Sequence, residues 1–293
     1  MPQTITPSII RERKTALVEP ADTLPMLDAS VQAFLDEVES GVACLPDDGA
    51  SSAMIWRTGC VPAPRGSTAP ATGLLIYLTI DHGPTPQRGP ALQTLANEAG
   101  ICVRHIILRP EDNLQAARRY LDQALAEIAA GATRVDTDRL AIGGDGLGGA
   151  MALALVLDRF GPIRRYQLLI LATPILSPPS DLPVNAWLAA DQAKFLATQR
   201  TSIEPALARC NPTALPPMLI LTAEADPFRD GAETQAKRLM AAGADVTALR
   251  VVGTIHDFTW LPALIGSPAS TGALRIMAAT IRQHLLQTAE KET

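Results

Sequence analysis

The chain has no Cys-x-x-Cys pair and no Cys/His cluster; its four cysteines, Cys44, Cys60, Cys102 and Cys210, are scattered. That spacing argues against a zinc site and reads as reduced thiols in a cytoplasmic protein. No apolar run approaches the roughly 20 residues needed to span a bilayer, and the polar opening stretch holds no apolar signal core. A net charge of −5 disfavours nucleic acid and anionic membrane surfaces as partners. No internal repeat is present. What remains is a globular chain expected to be soluble and intracellular, with no metal and no cofactor.

What is there is apolar and alternating. Hydrophobic residues make up 47% of 293, ample for the core of one large domain. Residues 1–26 are polar and proline-punctuated. A helical pattern then opens near Leu27 and Asp28, with Val31, Phe34, Leu35 and Val38 on one face. Apolar runs of strand length follow at 74–80, 101–108, 139–142, 167–171, 218–222 and 246–252. Helical stretches lie between or after them at 91–99, 114–130, 150–159, 231–242 and 271–286, three of them stopped by Gly100, Gly131 and Gly161. Strands apolar throughout, separated by amphipathic helices, predict an α/β fold: a parallel sheet covered on both faces. The stretch 178–216 interrupts the alternation and reads as a cap over the strand ends, where open α/β sheets bind ligands. The expected organisation is therefore a polar segment at 1–26, a cap helix region at 27–45, a core from 46–177 and 217–293, and a cap insertion at 178–216.

The most informative stretch runs from Leu140 to Ala150, Leu-Ala-Ile-Gly-Gly-Asp-Gly-Leu-Gly-Gly-Ala, straight from a strand into a helix. A nucleophile elbow needs small residues two before and two after its centre, because that turn is tight. Gly144, Gly148 and Gly149 meet the demand, but the centre is Gly146, which has no nucleophile. A phosphate-binding loop is the competing reading. No Lys-Ser/Thr follows the glycines, and no acidic residue ends the next strand to hold a ribose.

Several segments in one order carry a resemblance. Gly144-Asp145-Gly146-Leu147-Gly148-Gly149 resembles a Gly-Asp-Ser-Ala-Gly-Gly elbow, and Val135 to Arg139 its Val-Asp-Pro-Asp-Arg lead-in. Leu108-Arg109-Pro110-Glu111 is similar to Tyr-Arg-Leu-Ala-Pro-Glu, one residue short. Asp226-Pro227-Phe228-Arg229-Asp230 resembles Asp-Pro-Leu-Arg-Asp. Gly253 to Phe258, Gly-Thr-Ile-His-Asp-Phe, resembles Gly-Met-Ile-His-Gly-Phe. These are motifs of the hormone-sensitive-lipase and acetyl-esterase group of α/β-hydrolases, and the likeness runs from about Leu27 to Leu286. It implies an α/β-hydrolase fold with a small helical cap. It also implies that Asp226 and His256 take the acid and base positions of a triad, in the order nucleophile, Asp, His. A homodimer through the terminal strand and helix is a further implication.

Two departures follow from the same resemblance. The serine position is Gly146. The His-Gly-Gly-Gly segment that supplies the oxyanion donors is replaced, either by Thr79-Ile80-Asp81-His82 or, if the strand runs three residues longer, by His82-Gly83-Pro84-Thr85. Asp81 would oppose a developing anion; Pro84 would delete a backbone donor. Removing such a serine alone costs on the order of a million-fold in turnover. Ordinary serine-esterase chemistry is therefore expected to be absent or very weak.

The residues expected at the site are His256 and Asp226, with Gly146 at the vacant centre and Thr79, Asp81, His82, Gly83, Asp145 and Leu147 around it. Asp145 is expected to point away from the elbow tip. Met54, Trp56, Trp187, Phe195 and Trp260 are candidates for cap and pocket walls, and each reads equally as core packing; His105 reads as a satisfied core residue and His284 as exposed. The leading expectation is non-hydrolytic acid–base chemistry by His256, oriented by Asp226, on a small apolar carbonyl compound: elimination, cyclisation or isomerisation. The alternatives are an inactive receptor or partner subunit, and an esterase or lactonase in which His256 activates water.

Overall fold

A computed structural model describes residues 26–40, 72–80, 88–130, 135–157, 166–177 and 210–286. Its elements are α1 (Ala29–Ser40), β1 (Thr72–Ile80), α2 (Gly89–Ala99), β2 (Cys102–Leu108), α3 (Leu114–Ala130) and β3 (Val135–Asp145). They continue with α4 (Gly146–Leu157), β4 (Tyr166–Ala172), β5 (Met218–Ala225), α5 (Arg229–Ala241), β6 (Val246–Ile255) and α6 (Pro268–Leu285). The six strands form one sheet in the order β2-β1-β3-β4-β5-β6. Every pairing is parallel.

Alternate residues of the strands feed two cores. On one face Leu74, Ile76 and Leu78 of β1 join Ile142 of β3, with α3, α4 and α5 above them. On the other, Leu75 and Tyr77 join Ala141 and Ile170, covered by α1, α2 and α6. Covering both faces buries β1 from Gly73 to Ile80, which is why its sequence is continuously apolar rather than alternating. Helix α4 is buried on nearly every side, as a helix hydrophobic all round must be.

All six expected strands and all six expected helices are present; the boundaries moved where side chains misled. Strand β3 runs from Val135 to Asp145 rather than over 139–142. Its polar start and its two glycines carry no hydrophobic signal, yet Gly143 and Gly144 pair with both Tyr77–Leu78 and Ile170–Leu171. Helix α4 consequently begins at Gly146 rather than at residue 150. Helix α6 begins at Pro268, where Ser267 accepts a hydrogen bond from the Ser270 amide (3.1 Å) and proline takes the first turn.

One expectation is corrected: Cys102 is disulfide-bonded. Scattered spacing in sequence says nothing of proximity in space, and with a disulfide present cysteine usage no longer argues for a reducing compartment. Among the described residues no helix is long and apolar enough to cross a membrane. The expected cap insertion lies, through residue 209, outside the described residues, as do Asp81, His82, Gly83, Met54, Trp56, Trp187 and Phe195.

Candidate active site

The chemistry gathers at the carboxyl ends of the strands, where parallel sheets present their loops. Asp145 is the last residue of β3, Asp226 follows β5 and His256 follows β6. Register brings the last two together: Ala225 pairs with Ile255, so the next residue on each strand is the other's neighbour. His256 Nδ1 donates to Asp226 Oδ2 at 2.8 Å, with both side chains 1% exposed. The other carboxylate oxygen, Oδ1, accepts from the Phe228 amide at 2.8 Å, which fixes its rotamer. The Phe228 ring then packs edge-on to the imidazole, centroids 5.4 Å apart.

The turn from β3 into α4 is sharp. Gly146 has φ of 48°, in the left-handed region where glycine carries no penalty. A β-carbon placed on it would stand 3.6 Å from His256 Nε2 and 3.7 Å from Ile175 Cδ1, ordinary van der Waals distances. Its flanking glycines have no such room. A β-carbon on Gly148 would fall 2.2 Å from the Leu78 carbonyl oxygen, and one on Gly144 2.6 Å from the same atom. His256 Nε2 therefore faces Gly146, and it is buried with no hydrogen-bond partner among the described residues.

Comparison with known proteins gives the frame. The profile of a family described as alpha/beta hydrolase fold matches residues 87–260, more than half of the chain. The chain belongs to the α/β-hydrolase fold family. An α/β-hydrolase-like protein of Acanthamoeba polyphaga mimivirus is 28% identical over 67% of this chain and 62% of its own length. Carboxylesterase NlhH of Mycobacterium tuberculosis is 32% identical over 58% of this chain and 57% of its own. The chain thus spans about three fifths of the curated relatives it matches. Among solved structures, carboxyl esterase 2 of Tuber melanosporum superposes with a TM-score of 0.67 at 21% identity, over 89% of this chain and 100% of that one. That likeness shows the fold.

The structure brings His256, Asp226 and Gly146 together. Leu147, in the first turn of α4, is buried in the core. Thr79 is buried too, and its hydroxyl meets His105 Nε2 at 2.9 Å. That contact satisfies His105, whose proton affinity burial pushes down to about 3. Trp260 packs against Tyr77 with ring centroids 5.1 Å apart, a core position. Asp145 turns from the elbow tip to pair with buried Arg88.

Arg88 and Asp257 were not singled out in the sequence. Arg88 precedes α2 and bridges two loops: its Nε donates to Asp145 and its Nη2 to Asp257 Oδ2 at 3.3 Å. Asp257 stands where the resembled motif has glycine, and its φ is 59°. That departure was visible in His256-Asp257-Phe258, and a left-handed position is the physical content a glycine there would carry. For Arg88, sequence offered no signal, since its partners lie 57 and 169 residues away.

The electrostatics follow from this crowding. Burial opposes a charge on His256, but Asp226, Asp257 and Asp145 outweigh it and raise its pKa to about 9. Burial pushes Asp145 up to about 6 against the pull of Arg88. Burial also works against the Arg88 cation, and Asp145 and Asp257 hold the charge on. The surrounding carboxylates thus favour the imidazolium form, whose Nδ1–H is committed to Asp226.

Proposed function

We propose that this chain carries out non-hydrolytic acid–base chemistry on a small apolar carbonyl compound, with His256 as the proton donor and acceptor and Asp226 as its orienting group. The observation that carries the reading is His256 Nε2, buried, without a hydrogen-bond partner among the described residues, and facing Gly146. A buried polar atom without a partner costs stability and persists where a ligand completes it. A ligand oxygen there would accept the Nε2–H. Donation polarises the carbonyl, making its carbon electrophilic and its α-hydrogen more acidic.

One imidazole balances such reactions. In a cyclisation, Nε2 gives its proton to the carbonyl oxygen as an internal hydroxyl adds to the carbon, and the hydroxyl's proton returns to Nε2. In an isomerisation through an enol, the returning proton comes from the α-carbon instead. In an elimination, the departing oxygen takes the Nε2 proton and the α-carbon restores it. Three carboxylates, Asp145, Asp226 and Asp257, against two cations, Arg88 and His256, leave the cluster unfavourable to an anionic substrate. The raised proton affinity of His256 also weighs against water activation, which needs neutral imidazole.

The test is a panel of short acyl esters, lactones and apolar β-dicarbonyl compounds, with product formation and thermal shift recorded for the wild type, His256→Ala and Asp226→Asn. Turnover without ester cleavage that disappears with His256 supports the reading. Ester or lactone cleavage dependent on His256 replaces it with direct water activation. Binding without turnover, indifferent to His256→Ala, makes the protein a receptor or partner subunit.

A further inference from the structure

The feature that the proposed chemistry leaves unexplained is Asp257. Its backbone is left-handed, φ 59°, a conformation that glycine adopts without penalty and residues with a β-carbon adopt at a cost. Its neighbour Thr173 is also left-handed, φ 41°. The two meet: the Thr173 hydroxyl donates to Asp257 Oδ1 at 3.5 Å. Arg88 Nη2 donates to Asp257 Oδ2 from the other side, at 3.3 Å, while the Arg88 Nε holds Asp145 at the elbow. Unfavourable backbone retained at two residues around one carboxylate points to a use for that carboxylate.

Its placement says what the use is. Asp257 Oδ1 lies 3.7 Å from His256 Nε2, on the side of the ring opposite Asp226. That distance is too long for a hydrogen bond and short enough for strong attraction to a charge in buried surroundings. The imidazole is flanked by a carboxylate at each nitrogen, and only the Nδ1 side makes a hydrogen bond. We infer that Asp257 is a positioning residue: braced by Arg88 and Thr173, its carboxylate attracts the His256 ring from the Nε2 side without accepting a hydrogen bond, leaving the Nε2–H available to an uncharged ligand oxygen. The inference rests on the reading of His256 as a proton donor for its role in function, but its physical content is independent of turnover.

The other groups facing His256 are Asp226 beyond β5, Asp145 at the end of β3 and, through both Asp145 and Asp257, Arg88 before α2. Asp226 and Asp145 add to the proton affinity, as Asp257 does, so its removal should lower that affinity without abolishing the charge-stabilising environment. Phe228, in the turn after β5, contributes only apolar surface to the ring.

The experiment is an imidazole 15N NMR titration of His256 in the full-length wild type, Asp257→Asn and Asp257→Gly. Asparagine keeps the shape and removes the charge; glycine suits the left-handed backbone, so a folded variant is secured by at least one of the two. We expect the proton affinity of His256 to fall roughly tenfold in each folded variant. A fall of threefold or more in both supports the proposal; a smaller fall in either folded variant overturns it. Absence of turnover across the carbonyl panel would sink the acid–base reading while leaving this result standing. An unmoved titration would sink this inference while leaving any turnover intact.

Discussion

His256 Nε2 stands 3.6 Å from the point where a β-carbon on Gly146 would sit, with no hydrogen-bond partner among the described residues. A hydroxyl one bond further out would reach that nitrogen at hydrogen-bond distance. Gly146→Ser should therefore create a nucleophile, read as covalent labelling of Ser at that position by a fluorophosphonate in intact-mass measurement. The strained backbone, φ 48°, should lower stability by about 1–2 kcal/mol. An unlabelled, folded variant would show that the His256 geometry no longer supports a serine.

Much of this geometry was legible in the sequence, for identifiable reasons. Gly144 and Gly148 announced the elbow because a β-carbon at either meets the backbone of β1, a demand that sequence states as small residues at fixed spacing. Asp226 was legible because it directly follows the buried apolar strand β5, and His256 because it follows the apolar end of the edge strand β6, whose last three residues are buried. Arg88 was not, because its partners come from two loops far along the chain and nothing local marks an arginine as buried. The disulfide at Cys102 was hidden because spacing in sequence does not report proximity in space. Asp257 was half legible: its departure from glycine was on the page, but the meaning waited on its φ and on its distance to Nε2.

Stability should depend on pH through His256. Its folded pKa, raised to about 9, exceeds the ordinary value of 6.5. The folded state therefore binds the proton more tightly than the unfolded chain does. That contribution is fully present below pH 6.5 and is lost as pH rises through 9, on the order of 3 kcal/mol at most. Urea unfolding of the wild type should weaken across pH 6.5–9.5, and His256→Gln should flatten that window. A wild-type profile level through this range would contradict the assignment.

Gly148 tests the elbow's packing rather than its chemistry. A β-carbon there would lie 2.2 Å from the Leu78 carbonyl oxygen and 2.7 Å from Thr79 Cα, both backbone atoms that cannot swing aside. Gly148→Ala should destabilise by about 3 kcal/mol or more, measured by urea unfolding. Gly272→Ala, on α6 where a β-carbon meets nothing within 4 Å, should instead be neutral or stabilising by up to about 1 kcal/mol. Equal effects at the two positions would count against the close approach of α4 to β1.

Arg88→Met would remove the cation that bridges the elbow to the His256 turn. Asp145 and Asp257 would then face each other in buried surroundings, which already push Asp145 up to about 6. Leaving buried carboxylates unpaired costs about 3–5 kcal/mol, so denaturation at pH 7 should show a loss of that order. The loss should shrink on acidification toward pH 5, because protonating Asp145 relieves the uncompensated charge. Methionine fills much of the same volume, so a loss independent of pH would mean that Arg88 acts through packing alone. A loss that fades with acid identifies Arg88 as the counter-charge that lets carboxylates crowd around His256.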